Sequence, residues 1–127
     1  REAPARPHVR LDLWQAVLSN SWAPDIFIFT RDGERTGENI RGRMFGPGVN
    51  ITEDPATGSA VAGLGGYLAA RETAPDGTFA WTIEQGIEMG RPSILHVEAD
   101  KVAGNITAIR VGGASVMMSE GTMAVPD

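Results

Sequence analysis

Residues 59–72 have the sequence SAVAGLGGYLAARE. The apolar content predicts a helix, although Gly63, Gly65 and Gly66 each make a helix less stable by about 1 kcal/mol relative to alanine. No charged residue occurs from position 60 to position 70, and a helix that is apolar around its whole circumference is a buried one. We therefore predict a buried central helix, with glycines at the points where neighbouring strands approach closely.

The residues before this helix, EDPATG at 53–58, form its N-terminal approach. Thr57 or Ser59 can cap the helix, and the backbone N–H groups of Gly58 and Ser59 have no partner within it. With the positive end of the helix dipole they make a site for a carboxylate or phosphate, although the same residue types are also ordinary caps. Both interpretations stay open. A nucleotide-binding loop is excluded, because Leu64 stands where that motif needs Lys.

The rest of the chain predicts a sheet. Residues 26–30 are rich in β-branched and aromatic side chains, and with residues 40–45 they predict an antiparallel hairpin. Residues 11–18 fit either a short helix or a strand. Further strand patterns, separated by turn residues, occur at residues 79–84, 94–98, 106–111, 115–118 and 122–125. The predicted fold class is α+β, a curled, mostly antiparallel, barrel-like sheet wrapped around one buried central helix.

Composition limits the possible functions. The chain has 127 residues, 42% of them apolar, which suits one compact domain. Its net charge of −5, without blocks of like charge, argues against nucleic acid and anionic membranes as partners. The absence of Cys excludes disulfides, thiolate metal sites and a cysteine nucleophile, and the two histidines, His8 and His96, have no metal-ligand spacing. With no targeting signal and no start Met, we expect a cytoplasmic protein of which this is a fragment, a processed product or an excised domain.

Two stretches are more specific than these patterns. The first is EDPATGSA at residues 53–60, preceded by RMFGPG at 43–48 and followed by the glycine-rich helix. The second is QGIEMGRPSIL at residues 85–95. Both resemble signature motifs of the PhzF-like phenazine-biosynthesis isomerase family, and the resemblance covers residues 26–125.

The resemblance implies a diaminopimelate-epimerase-like fold of two similar domains with the active site in the cleft between them. Residues 1–127 would be the second domain, and the first domain would be absent. The epimerases of this fold use two cysteines at the starts of their central helices, one in each domain. In the PhzF-like branch the second-domain cysteine is replaced by a non-thiol, which is consistent with Ser59 and with the absence of Cys.

The resemblance also implies an activity and its residues. The family transfers a proton without a cofactor or a metal, shifting a double bond in a small cyclic amino acid such as trans-2,3-dihydro-3-hydroxyanthranilate, and tends to form homodimers. Asp54 would be catalytic, and Gly58 and Ser59 would bind the substrate carboxylate. Arg91 would either shape the pocket or be a surface arginine. The family's principal acid/base is a first-domain glutamate with no match here, so the alternative is a non-catalytic binding or assembly module that retains an anion-binding helix N-terminus.

Overall fold

The computed structural model describes residues 8–31 and 39–125. These residues contain two α-helices, α1 at Leu11–Val17 and α2 at Gly58–Ala69. The six strands are β1 at Ile26–Thr30, β2 at Asn39–Gly46, β3 at Ile51–Asp54, β4 at Gly77–Gln85, β5 at Ser93–Val102 and β6 at Asn105–Gly113. A short 3-10 helix at Pro47–Val49 connects β2 to β3.

The strands form one sheet in the order β1-β2-β4-β5-β6, and β3 pairs with β2 outside this path. β1 and β2 are antiparallel, with Ile26 opposite Phe45, which confirms the predicted hairpin pairing. The connection between them, residues 32–38, lies outside the described residues. β4, β5 and β6 are antiparallel neighbours and confirm three of the predicted strands. The mostly antiparallel sheet of an α+β fold is therefore confirmed, with β2 and β4 as a parallel pair.

The core lies between α2 and one face of this sheet. Val61, Leu64 and Leu68 recur at helical spacing and are at most 5% exposed, so they form one stripe along α2. They pack against the buried sheet residues Ile40, Ile83, Leu95 and Val97. The ring of Phe29 on β1 meets that of Tyr67 on α2 edge-on at 5.9 Å between centroids. The sheet thus curls around the predicted central helix, but it does not close into a barrel.

The opposite side of α2 is left uncovered by the described chain. Ser59 and Gly63 are exposed, and a Cβ added to Gly63 would meet nothing within 4 Å. A Cβ added to Gly65 would instead clash with the Cγ2 atom of Val97 on β5. The predicted clearance role therefore applies to Gly65 and not to Gly63, because strands approach the helix from one side.

The predicted strands at 115–118 and 122–125 are wrong, because residues 114–125 form no ladder. Their apolar side chains are exposed, as in Met117 at 86% and Met118 at 87%. A strand needs a neighbouring strand for its backbone hydrogen bonds, and within the described residues none pairs with this segment.

Residues 11–18, which fit either a helix or a strand, form helix α1 over most of their length. The indole Nε1 of Trp14 donates to the Pro24 carbonyl at 2.7 Å and anchors the helix to the segment before β1. Neither of the two described α-helices has the length and apolar character that a membrane span requires.

Candidate functional site

Strands β3 and β4 both pair with β2 and end there, facing each other. Asp54, the last residue of β3, lies opposite Met44, and Glu84, near the end of β4, lies opposite Arg41. Because β3 is antiparallel to β2 and β4 is parallel to it, the two strands reach this point from opposite directions. Helix α2 begins shortly after β3 ends. The chain therefore places Asp54, the start of α2 and the end of β4 at one position.

The side chain of Gln85, which is 1% exposed, joins these three ends. Its Nε2 donates to the Asp54 carbonyl at 2.6 Å and to the Thr57 hydroxyl at 2.9 Å. Its Oε1 accepts a hydrogen bond from the Thr57 backbone N–H at 3.2 Å. A buried amide with this many partners fixes the backbone around Asp54 and Thr57.

The start of α2 lacks a side-chain cap. The Thr57 hydroxyl, at the N-cap position, donates to Asp54 Oδ2 instead of accepting from the helix. Val61 N–H bonds to the Thr57 carbonyl, while no hydrogen bond within the described chain engages the backbone N–H groups of Gly58 and Ser59. Free N–H groups at the start of a helix, together with the positive end of the helix dipole, are suited to binding an anion.

The structure thus brings the three predicted site residues together. Asp54 is half-buried at the end of β3, and Gly58 and Ser59 are exposed at the first turn of α2. A Cβ added to Gly58 would meet nothing within 4 Å, so a ligand can approach the backbone there. The roles of these residues in binding and catalysis stay predictions.

An ion-pair cluster underlies this site. The Arg43 guanidinium donates two hydrogen bonds to the Glu53 carboxylate, from Nε to Oε1 at 2.8 Å and from Nη2 to Oε2 at 2.9 Å. Arg41 pairs with Glu88 at 3.1 Å. Donating hydrogen bonds to the Glu53 carboxylate raises the pKa of Arg43 above its usual value, so this arginine stays charged. The Glu53 carboxylate is therefore held on both oxygens by Arg43.

The second motif, residues 85–95, packs against the first motif, residues 53–60. Gly86 has φ +77°, and a Cβ there would clash with the Arg91 carbonyl and lie 3.0 Å from the Pro55 side chain. Arg91 N–H bonds back to the Gly86 carbonyl at 2.9 Å, which makes residues 86–91 a tight loop. The Arg91 side chain is exposed, and no described contact involves it in the site.

Within the described chain, no three His, Asp or Glu side chains lie close enough together to hold a metal ion. His96 is exposed on β5, where its Nδ1 lies 3.4 Å from the Thr82 hydroxyl.

Sequence reasoning gave no role to Gln85 or to the Thr57 hydroxyl as a partner of Asp54. The available signal was the position of Gln85 at the head of the second motif. Its contact with residues about 30 positions earlier depends on the parallel pairing of β2 and β4, which no local pattern indicates.

Comparison with known proteins gives consistent matches. The family model of phenazine biosynthesis-like proteins matches residues 7–121. The chain is 33% identical over 126 residues to an uncharacterised isomerase of Mesorhizobium japonicum, covering 95% of this chain and 42% of that protein. It is 38% identical over 98 residues to the trans-2,3-dihydro-3-hydroxyanthranilate isomerase of Pseudomonas aeruginosa, covering 77% of this chain and 34% of that enzyme.

A eukaryotic relative is antisense-enhancing sequence 1 of Schizosaccharomyces pombe, 31% identical over 101 residues and covering 80% of this chain and 32% of that protein. The chain spans less than half the length of each of these relatives.

Proposed function

The chain belongs to the phenazine biosynthesis-like protein family, whose members include isomerases, and from that premise we propose that it forms one wall of an isomerase active site. The other wall belongs to a first domain outside these 127 residues. The lengths of the relatives support this division, since the matched segment is 42% of one and 34% of another.

The observation that carries the proposal is the uncapped start of α2 beside Asp54. The open N–H groups of Gly58 and Ser59 suit a carboxylate, because an anion there gains hydrogen bonds and the favourable end of the helix dipole. Asp54, three residues before the N-cap residue Thr57, is a carboxyl that can take up or release a proton beside the bound anion. Together they suit acid/base chemistry on a small carboxylated substrate.

The proposed reaction is a cofactor-independent isomerisation. A C–H bond of a small cyclic amino-acid carboxylate breaks, and its electron pair forms a new double bond. The displaced double-bond electrons take up a proton at a second carbon, so substrate and product have the same formula. Asp54 carries a proton in one of the two transfers, and a first-domain glutamate serves the other. The substrate class is that of the Pseudomonas relative, whose name specifies trans-2,3-dihydro-3-hydroxyanthranilate.

Turnover of that compound by the intact protein tests the catalytic role of Asp54. The Asp54→Asn variant keeps an oxygen to accept from the Thr57 hydroxyl, so the fold is retained while the proton carrier is lost. We expect kcat to fall by about 10²- to 10⁴-fold. Asp100→Asn on β5, outside the site, is the control and should match the parent enzyme. Turnover of Asp54→Asn within a few-fold of the parent would remove Asp54 from the mechanism.

Proline at position 58 tests the anion site separately. Thr57 is extended, with φ −97° and ψ 90°, which suits a residue before proline, and proline is tolerated at the first helical position. Gly58→Pro therefore removes one N–H donor without breaking the helix, and Gly58→Ala is its comparison. Loss of a hydrogen bond to a charged group should raise KM by about tenfold or more over the Ala variant. Equal KM values in the two variants would contradict carboxylate binding by the Gly58 N–H.

The alternative function is a binding or assembly module without catalysis. Amide shifts of Gly58 and Ser59 in NMR titrations with the same compound distinguish the two. Saturable shifts without turnover by the intact protein would favour the binding module. If the compound causes no shifts and is not turned over, both this substrate class and the anion site are excluded.

A further inference from the structure

We infer that Gln85 and Thr57 are positioning residues that assign different tasks to the two carboxylate oxygens of Asp54. Oδ2 is held as a hydrogen-bond acceptor, and Oδ1 is the oxygen that exchanges a proton with substrate. The inference rests on the proposed function, because it concerns how Asp54 acts in that reaction.

The orientation of the Gln85 amide is fixed by two backbone groups of opposite character. The Asp54 carbonyl can only accept, so the amide atom 2.6 Å from it must be the nitrogen. The Thr57 backbone N–H can only donate, so the atom 3.2 Å from it must be the oxygen. A flipped amide would place acceptor against acceptor and donor against donor. The second hydrogen of Nε2 is therefore directed at the Thr57 hydroxyl, 2.9 Å away.

This orientation determines the direction of the Thr57 hydroxyl. Because its oxygen accepts from Gln85 Nε2, its single hydrogen is free to point elsewhere, and it donates to Asp54 Oδ2. The ionised carboxylate therefore receives a hydrogen bond on Oδ2, and a proton could take that position only by turning the Thr57 hydrogen away. Within the described residues no donor engages Oδ1. A proton that binds Asp54 is thus directed to Oδ1.

The hydrogen bonds from Gln85 to Thr57 and from Thr57 to Asp54 form a relay. This relay also keeps the proposed anion site at the start of α2 open. A threonine at the N-cap ordinarily turns its hydroxyl toward the N–H groups of the first turn. Here the hydroxyl of Thr57 is committed to Asp54, and the helix has no side-chain cap. One buried glutamine side chain, 1% exposed, therefore orients the proposed proton carrier and leaves the neighbouring donors free for a ligand.

A pair of substitutions at Thr57 tests the relay in the intact protein. Thr57→Val keeps the size and the backbone N–H but removes the hydroxyl, while Thr57→Ser keeps the hydroxyl. With trans-2,3-dihydro-3-hydroxyanthranilate as substrate, we expect Thr57→Val to lower kcat by about 10- to 100-fold, as for a misplaced catalytic group, with KM changed by less than about threefold. Thr57→Ser should restore most of kcat. Equal loss in both variants, or a rise in KM without a fall in kcat, would overturn the inference.

A spectroscopic readout does not depend on turnover. The Thr57 hydroxyl proton, held in the hydrogen bond to Asp54 Oδ2, should exchange slowly with water, so its NMR signal should be observable in the parent protein. Replacing Gln85 by Glu removes both Nε2 donors and should abolish the signal, with far-ultraviolet circular dichroism confirming the fold. If Gln85→Glu does not fold, Thr57→Val, which must lack the signal, and Thr57→Ser, which must retain it, make the same test. A parent protein without the signal would count against the relay.

The outcomes separate this inference from the proposed function. If Asp54→Asn abolishes turnover and Thr57→Val does not, the relay is refuted and the proposed function stands. If Asp54→Asn leaves turnover intact, the proposed role of Asp54 fails and the relay fails with it. Loss of turnover in both, with recovery in Thr57→Ser, supports both proposals.

Discussion

Gly65 of α2 faces β5 at a point where the structure leaves no room for a side chain. A Cβ there would clash with Val97 Cγ2 and lie 3.6 Å from Ile109 Cγ2. Val97 is 0% exposed and its branched side chain has no open space to move into. Gly63, two positions earlier in the same helix, has nothing within 4 Å of an added Cβ. The two glycines therefore form a matched pair for Gly→Ala substitution.

Both substitutions raise helix propensity by about 1 kcal/mol, because glycine and alanine differ by that amount in a helix interior. Only Gly65→Ala also overpacks the core, which typically lowers stability by about 1 to 3 kcal/mol. Gly63→Ala should therefore raise the free energy of unfolding by about 1 kcal/mol. Gly65→Ala should leave it unchanged or lower it by up to about 2 kcal/mol. The difference in the free energy of unfolding between the two variants therefore measures only the overpacking at position 65.

Urea denaturation of both variants measures this difference, and thermal unfolding should separate their Tm values by several degrees. Repeating Gly65→Ala in a Val97→Ala background removes the clashing methyl groups. There the added alanine should stabilise by about 1 kcal/mol, as it does at Gly63. Equal shifts for Gly63→Ala and Gly65→Ala in the original background would refute the close approach of α2 to β5.

Three further predictions concern the core, the surface and the ion pairs. Leu68→Ala removes a core side chain that is 2% exposed, and urea denaturation should show a loss of about 2 to 5 kcal/mol. Hydrogen bonds, mainly from Arg110, lower the pKa of Asp100 from 3.8 to about 2. The stabilisation is therefore present above pH 4 and is lost as the pH falls toward 2. In Arg110→Gln the NMR titration midpoint of Asp100 should rise, and stability should depend less on pH in this range. Arg43→Met leaves the Glu53 carboxylate, 13% exposed, without its main partner and should lower stability by about 3 kcal/mol, with a smaller loss when Glu53→Met accompanies it.

Local patterns predicted most of the fold. The β1–β2 hairpin and strands β4 to β6 follow from β-branched runs bounded by turn residues. The helix begins one residue earlier and ends three residues earlier than its apolar pattern, at Gly58 and Ala69 instead of 59 and 72, because helix ends are set by backbone hydrogen bonding and not by composition. Strand β3 was missed because ITED, which alternates weakly, carries little strand signal.

The error at residues 115–118 and 122–125 has a different cause. Their composition favours a strand, but strand formation depends on a partner edge, and in the described structure β6 is already the last strand of the path. Propensity reports what a segment can form and not whether its partner is present. The same limit explains the exposed side of α2, since its apolar sequence predicted a helix buried all round and the described strands cover only one side of it.

The candidate site likewise contains residues that a local motif could predict and one residue that only the sheet topology brings in. Asp54, Gly58 and Ser59 lie within six residues of one another, so one motif could place them together. Gln85 reaches them only through β4, which runs parallel to β2 and ends against Asp54. Such a contact depends on the topology of the whole sheet, and topology is the level that local sequence patterns specify least.

The two motifs are joined into one structural unit by direct contacts. Gln85 bonds to Asp54 and Thr57 of the first motif, and Gly86 lies too close to Pro55 to carry a side chain without displacing it. A change in either motif therefore alters the geometry of the other. Substitutions in the second motif, though far from Asp54 in sequence, should impair the proposed reaction through the position of that carboxylate and not through loss of substrate contacts. A fall in kcat at nearly constant KM would identify the second motif as a support for the first, whereas a rise in KM would indicate a second binding site.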